Sequence, residues 1–286
     1  MTTTDSTRLS KVQRLQFEED GYFFPVRVLK DDEVRHYLDL YIDYHRRHHE
    51  RLQKLPVKDR YLVLSELHFV LRWVHELVAR STILDAVESV LGPDILVWNT
   101  SWFTKMPGDK TYVSWHQDGT YWKMSPTKIV TAWVALSPST PSNGCMRVVS
   151  GTHKQPALPH RETYDPDNAL SRGQDVAAEV DEDRAVDLCL HPGEMSLHHL
   201  WTVHGSKANL STIPRIGLAI RYVAAEVKQE SPTLPLAMLV RGQNKYGHFE
   251  LLPPPSEDAL PPDGGRHTEL VNRIRASIMP ATTPMK

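Results

Sequence analysis

Two periodicities divide the chain near Pro93. Before it, apolar residues recur at helical spacing; after it, they alternate. Ser10 is placed to cap a short helix that stops at Gly21, and residues 22–28 are apolar and aromatic enough for a strand. Asp31 and Asp32 open a second helix, whose Val34, Tyr37, Leu38, Tyr41 and Ile42 follow the i, i+3, i+4, i+7, i+8 pattern of one buried face. Leu67, Val70, Leu71, Val74, Leu77 and Val78 predict another helix, and Ser81 is placed to cap a further one that ends at Gly92-Pro93.

From residue 95 the texture is that of strands. Residues 95–105 put Asn99, Ser101, Phe103 and Lys105 on one face by period two, before a turn at Met106-Pro107-Gly108-Asp109. Strands follow at 112–116, 128–136, 144–150, 185–190 and 195–200. The 128–136 stretch is apolar on both faces, which calls for a layer on each side. Residues 155–184 are a long polar excursion, a length that inside a domain marks a functional or disordered loop. Residues 215–223 alternate cleanly, with Ile216, Leu218, Ile220 and Tyr222 on one face and Arg215, Gly217, Ala219 and Arg221 on the other. Taken alone, the second face suits solvent; in a closed barrel it faces a cavity. A Pro- and Gly-rich linker at 253–265 precedes a last helix marked by Leu270, Val271, Ile274 and Ile278. Helices followed by many short strands predict a mainly β protein with flanking N-terminal helices, an antiparallel sandwich or barrel. Residues 1–9 read as a disordered tail and 10–286 as a single domain.

Composition narrows the class. The chain is 40% hydrophobic and 24% charged, as in ordinary globular proteins, and its net charge of −2 gives no basic field for nucleic acid or a membrane surface. Its 2 cysteines form no disulfide framework and suit a reducing, cytoplasmic setting. No apolar run is long enough to span a bilayer.

The candidate chemistry centres on Trp115-His116-Gln117-Asp118-Gly119. Residues two apart on a strand point to the same face, so His116 and Asp118 lie side by side and Gln117 faces away. A second imidazole from a distant strand, His204 in Val203-His204-Gly205-Ser206, completes a set of two His and one carboxylate. Such a set with open positions suits non-haem Fe(II), and it also suits the zinc of a hydrolase.

Around this set stand Ala132-Trp133-Val134-Ala135-Leu136, Asn143-Gly144-Cys145-Met146-Arg147, Ser150-Gly151-Thr152-His153-Lys154, Pro192-Gly193-Glu194 and Arg215. Together these motifs resemble the phytanoyl-CoA dioxygenase type of Fe(II)/2-oxoglutarate-dependent oxygenases, from about residue 21 to about residue 250. The resemblance implies a double-stranded β-helix (a cupin-like jelly roll). It implies Fe(II), 2-oxoglutarate and O2 as cofactor and co-substrates, with His116, Asp118 and His204 as metal ligands. Arg215 occupies the family's place for the arginine that pairs with the far carboxylate of 2-oxoglutarate, and a guanidinium fork suits that task. Arg221 is the rival on the same face. Ser206, Thr131 and Trp133 are expected to contact the co-substrate, Trp133 equally suiting plain core packing. One of His198 and His199 is expected to point inward behind the ligands. Retention of Asp118 argues against a halogenase, whose family members replace that carboxylate. A jelly-roll binding protein without turnover is the alternative of another class.

The substrate is expected to be a small molecule. Asn99 and Lys105 on one strand face, with Tyr121 and Trp122 beyond Asp118, form a candidate pocket of one amide, one cation and an aromatic wall. Tyr121-Trp122, Asn143-Gly144-Cys145-Met146-Arg147 and Leu239-Val240-Arg241-Gly242 are similar to bacterial hydroxylases of 2-aminoethylphosphonate, which makes that compound the first candidate. The alternative is a larger secondary metabolite, oxidised by hydroxylation, desaturation or cyclisation, with Lys105 snorkelling to the surface.

Overall fold

The change of periodicity at Pro93 is a change of architecture. A computed structural model describes residues 7–155, 157–231, 233–258 and 265–278. Its helices are α1 (Lys11–Asp20), α2 (Asp31–Arg47), α3 (His49–Lys54), α4 (Val57–Leu64), α5 (Arg72–Val78), α6 (Ser81–Leu91) and α7 (Arg266–Ile278). The strands open with β1 (Tyr22–Arg27), β2 (Ile95–Lys105), β3 (Val113–His116), β4 (Met124–Ser125), β5 (Ile129–Ala135), β6 (Met146–Val149), β7 (His160–Glu162) and β8 (Gln174–Val176). They continue with β9 (Ala185–Leu188), β10 (Glu194–His199), β11 (His204–Ser206), β12 (Arg215–Ala224), β13 (Lys228–Gln229), β14 (Leu236–Arg241) and β15 (Glu250–Leu251).

Two sheets make the jelly roll. The larger has the order β1-β10-β5-β12-β2-β14-β15 and the smaller β3-β11-β6-β9. The helices cover the outer face of the larger sheet. There Ile83, Leu84 and Val87 of α6 join Val130, Ala132 and Val134 of β5 and Ile216, Leu218, Ile220 and Tyr222 of β12 in one apolar cluster. This explains the doubly apolar 128–136 stretch, for every residue of β5 is buried. It also decides the alternation in β12, all ten residues of which are buried, so the face carrying Arg215 and Arg221 looks into the barrel and not into solvent.

Several sequence expectations change. The helix expected over 67–78 is broken into a 3-10 turn (Leu67–Phe69) and α5. The break lets Glu66, at φ 58°, aim its carboxylate into the body of the protein. Ile42 lies outside the buried stripe of α2, at 48% exposed, and Tyr44 takes its place inward. Ser81 is the first residue of α6, whose cap is Arg80. The first six residues lie outside the described part, but residues 7–9, expected in a free tail, pack against α6: Leu9 is buried, its amide donates to Ser89 Oγ at 3.0 Å, and Arg8 pairs with Glu88 at 2.8 Å. The 155–184 excursion folds back as a two-stranded ribbon of β7 and β8. Of the expected 253–265 linker, residues 259–264 lie outside the described part. Among the described residues no helix is long and apolar enough to cross a membrane.

Candidate active site

Strand register brings the ligand set together. His204 on β11 pairs directly across from His116 on β3 in the smaller sheet, and their rings lie 4.1 Å apart between centroids. Beyond His116 the backbone stays extended through Gln117, so Asp118, opening a 3-10 turn, still falls on the side of His116. Gln117 faces away as expected: its Nε2 donates to the Trp201 carbonyl at 2.7 Å and its Oε1 accepts from the Leu158 amide at 2.8 Å, which ties the excursion to the strand. Nitrogens of His116 and His204 and an oxygen of Asp118 lie within 4.8 Å of one another, and all three residues are buried.

The hydrogen bonds fix which nitrogens are free. His116 Nδ1 bonds the Ser114 carbonyl at 3.0 Å and His204 Nδ1 the Thr202 carbonyl at 2.9 Å. A ring nitrogen that donates to a carbonyl leaves the other as a lone pair, so both Nε2 atoms are available to a metal. Burial and the neighbouring His116 and His198 rings push the His204 imidazolium well below its usual range, keeping the ring neutral. Burial acts to raise the Asp118 carboxyl, but His116, His198, Arg221 and His204 outweigh it and hold the group well below the usual carboxylate range. Thr131 Oγ1 donates to Asp118 Oδ2 at 3.2 Å. The donor set therefore fits a divalent metal such as Fe(II).

A narrow inner cavity runs from this set between the sheets, walled by Phe103, Thr131, Trp133, Ala219, Ser206 and Met146 and ending at Arg215. Arg215 is 2% exposed, donates to the Gly144 carbonyl, and leaves its Nε without a partner. Its ring neighbour is Trp133, with the guanidinium carbon 5.3 Å from the ring centroid. Burial lowers Arg215 to about 10, and no described carboxylate pairs with it. A buried guanidinium without a counter-ion is costly, and the far carboxylate of 2-oxoglutarate fits the deficit. Gly217 lets Trp133 lie flat, since a Cβ there would stand 2.1 Å from the Trp133 ring.

The outer cavity opens from the other side of Asp118 to solvent. Asn99, Tyr121 and Trp122 line it, as the sequence suggested. Asn99 keeps the regular register of β2 opposite Arg221; the bulge comes beyond it, where Tyr222 pairs with Val97 and Trp98 is the extra residue. Most of Trp122 is spent packing edge-on against Trp98, at 4.9 Å between centroids. Lys105 corrects the expectation. It neither lines this cavity nor reaches the surface but is buried beside Arg215, where its Nζ donates to Ser206 Oγ at 2.7 Å and to the Ser206 and Lys207 carbonyls. Burial and Arg215 push its amine down to about 6. Lys105 follows Asn99 by six residues along β2, which carries it to the opposite end of the barrel. Ser206 and Thr131 line the inner cavity, but their hydroxyls are engaged with Lys105 and Asp118.

Of the two histidines expected behind the ligands, His198 is the one that points inward: it is 1% exposed on β10, has no hydrogen-bond partner for either ring nitrogen, and lies 3.8 Å from Asp118 Oδ2. Part of the outer wall escaped the sequence. Glu66 and α7, through Val271 and Ile274, wall the outer cavity, as do Leu170 and Gln174 of the excursion. The one local signal for Glu66 is its charge, alone in the apolar run from Tyr61 to Leu71.

A family profile described as "Phytanoyl-CoA dioxygenase (PhyH)" matches residues 17–217. The probable alpha-ketoglutarate-dependent hypophosphite dioxygenase of Stutzerimonas stutzeri is 32% identical over 189 residues, covering 65% of this chain and 61% of that protein. The matched stretch is thus less than two thirds of that relative's length. Among solved structures, the apo form of the non-heme monooxygenase ThoJ is similar with a TM-score of 0.78 at 32% identity, covering 93% of this chain and 97% of that one. CytC3 with Fe(II) and alpha-ketoglutarate shares the fold, with a TM-score of 0.62 at 24% identity over 86% of this chain and 93% of that one.

Proposed function

The chain belongs to the phytanoyl-CoA dioxygenase family, and from that premise we propose that it is an Fe(II)/2-oxoglutarate-dependent dioxygenase that hydroxylates an unactivated C–H bond of a small molecule. The balance is substrate, O2 and 2-oxoglutarate in, and alcohol, succinate and CO2 out. The observation that carries the site assignment is an inner cavity that starts at His116 and His204, whose ligand atoms converge with that of Asp118, and reaches Arg215, whose Nε has no partner.

In this reading His116 and His204 hold iron through Nε2, and Asp118 supplies the anionic ligand, kept in orientation by Thr131. Arg215 clamps the far carboxylate of 2-oxoglutarate, Trp133 supports the guanidinium, and Lys105 fixes the Ser206 hydroxyl beside it. Iron with 2-oxoglutarate supplies the O2-dependent chemistry that breaks the C–H bond. Phe103, Met146 and Trp133 keep water from the inner cavity, and the substrate enters through the outer one. A single-domain organisation and the cytoplasmic setting belong to the same proposal.

The first candidate substrate is 2-aminoethylphosphonate, hydroxylated on the carbon next to phosphorus. The hypophosphite named for the S. stutzeri relative is likewise a small phosphorus oxyanion, which supports the choice. The outer cavity is open to solvent and walled in part by apolar side chains, Leu170, Val271 and Ile274 among them, which favours a second reading, a larger secondary metabolite. Enzyme, Fe(II), 2-oxoglutarate and O2 incubated with 2-aminoethylphosphonate and its N-methylated forms are expected to release succinate with a shifted phosphorus resonance. Succinate release from a natural-product panel, with none from the phosphonates, would favour the second reading.

A further inference from the structure

Arg221 lies at the junction of the two cavities and lines both. It is 9% exposed, and its Nε has no partner. No described carboxylate lies within the 4.0 Å of an ion pair. Its surroundings are the Phe103 ring, 5.8 Å from the guanidinium carbon, and the Asn99 carbonyl oxygen, which accepts from its NH1 at 3.0 Å. The carboxylates of Asp118 and Glu66 lie near enough to feel the charge of Arg221 but form no ion pair with it, so its fork keeps donors for a further anion. The two arginines are six residues apart on β12, roughly 20 Å along an extended strand. The group that meets Arg221 is therefore a different one from the carboxylate at Arg215.

The setting of Arg221 is built. Asn99 offers its oxygen to Arg221 and its Nδ2 to Glu66 Oε1, while Glu66 Oε2 accepts from the Thr100 amide at 3.3 Å. Turning the Asn99 amide over would set N–H against N–H at the guanidinium, so Glu66 determines which way Asn99 points. The remaining guanidinium donors are left for the cavity.

Resting on the oxygenase reading above, we propose that Arg221 is the anchor for a small oxyanion on the substrate, a phosphonate or carboxylate, held beside the metal site with Asn99 and Glu66 as positioning residues. A planar guanidinium fork suits either anion two-pronged.

The test is calorimetric titration of the nickel-substituted enzyme carrying 2-oxoglutarate, which binds without turnover. The probes are methylphosphonate, 2-aminoethylphosphonate and β-alanine, with ethanolamine as the cation-only control. Wild type is expected to bind at least one of the anions and not ethanolamine. Arg221→Gln is expected to weaken that binding by roughly ten- to a hundredfold, the scale of a charge-assisted hydrogen bond. Arg221→Lys should recover part of it, and Asn99→Ala should weaken it less than Arg221→Gln, all with unchanged 2-oxoglutarate affinity. Should Arg221→Gln fail to fold, the Lys and Asn99 variants carry the comparison. Anion binding untouched in Arg221→Gln, or a loss of 2-oxoglutarate affinity in its place, overturns the proposal. So does a wild type that holds 2-oxoglutarate but none of the three anions, which leaves the oxygenase reading standing. A wild type that binds neither nickel nor 2-oxoglutarate defeats the oxygenase reading itself.

Discussion

The two faces of β5 and β12 are equally buried and differ in what their polar atoms have to bond. On the outer face, under the helices, Val130, Ala132, Val134, Ile216, Leu218 and Ile220 carry no side-chain polar atom, and Tyr222 satisfies its hydroxyl on the Val78 carbonyl at 2.7 Å. On the inner face Arg215 and Arg221 leave Nε atoms unpartnered, and His198, across from Thr131, leaves both ring nitrogens so. Burial alone does not separate core from site; the accounting of buried donors and acceptors does. A face that hides polar groups without partners is shaped for ligands, and a face that hides none is shaped for the fold.

Substitutions separate the faces. The largest effect is expected from Asp118→Ala, which removes the only anionic ligand: substrate-coupled succinate should vanish, while thermal unfolding stays cooperative. Wild-type turnover with iron supplied would remove His116, Asp118 and His204 from the metal role. Arg215→Leu comes next. Loss of the partner of a buried carboxylate costs about 3–5 kcal/mol, so the 2-oxoglutarate affinity should fall a hundredfold or more. A mild effect there and a severe one in Arg221→Leu would exchange the two arginines.

How much of this was legible in the sequence follows the same division. Alternation in residues 215–223 separated Ile216, Leu218, Ile220 and Tyr222 from Arg215, Gly217, Ala219 and Arg221, because a two-residue period is a local property. His116 and Asp118 were legible for the same reason. Lys105 was misplaced because a shared face does not tell which end of a barrel a residue reaches; the pairing of Lys105 with Arg215 does. The approach of Glu66 to Asn99 spans 33 residues and the bulge at Trp98 depends on pairing with the still more distant β12, so no local window contains either. The break between Leu67–Phe69 and α5 was hidden by an apolar pattern that both pieces continue.

The outer face supplies the reciprocal test. Ile220→Ala deletes fully buried methyl groups among the α6 contacts and is expected to cost about 2–5 kcal/mol of unfolding free energy, with 2-oxoglutarate affinity unchanged. A loss of affinity without a loss of stability would mean that the faces are coupled.

The smallest effect is a slope. Burial raises the Glu66 carboxyl to about 8 from an ordinary value of 4.5, against the bonds from Thr100 and Asn99 and the charge of Arg221. A group raised in the folded state contributes stability that is fully present below about 4.5 and is lost as pH rises through about 8. Glu66→Gln cannot titrate. Whatever constant offset the substitution adds, the stability of wild type minus that of the variant should fall across this window in denaturant unfolding followed against pH. A flat difference would mean that Glu66 is ionised throughout.

The central claim is that the cavity between the two sheets holds iron and 2-oxoglutarate together, through His116, Asp118 and His204 on the side of the smaller sheet and Arg215 on the inner face of β12. Anaerobic titration of the Fe(II)-loaded enzyme with 2-oxoglutarate, followed by the visible charge-transfer absorption of the chelate, tests it most directly. Wild type is expected to develop the band and saturate at a single equivalent per iron, and Arg215→Leu to keep its iron but require far more 2-oxoglutarate. An enzyme that binds Fe(II) but develops no band, or an Arg215→Leu titration that overlays the wild type, would contradict the account.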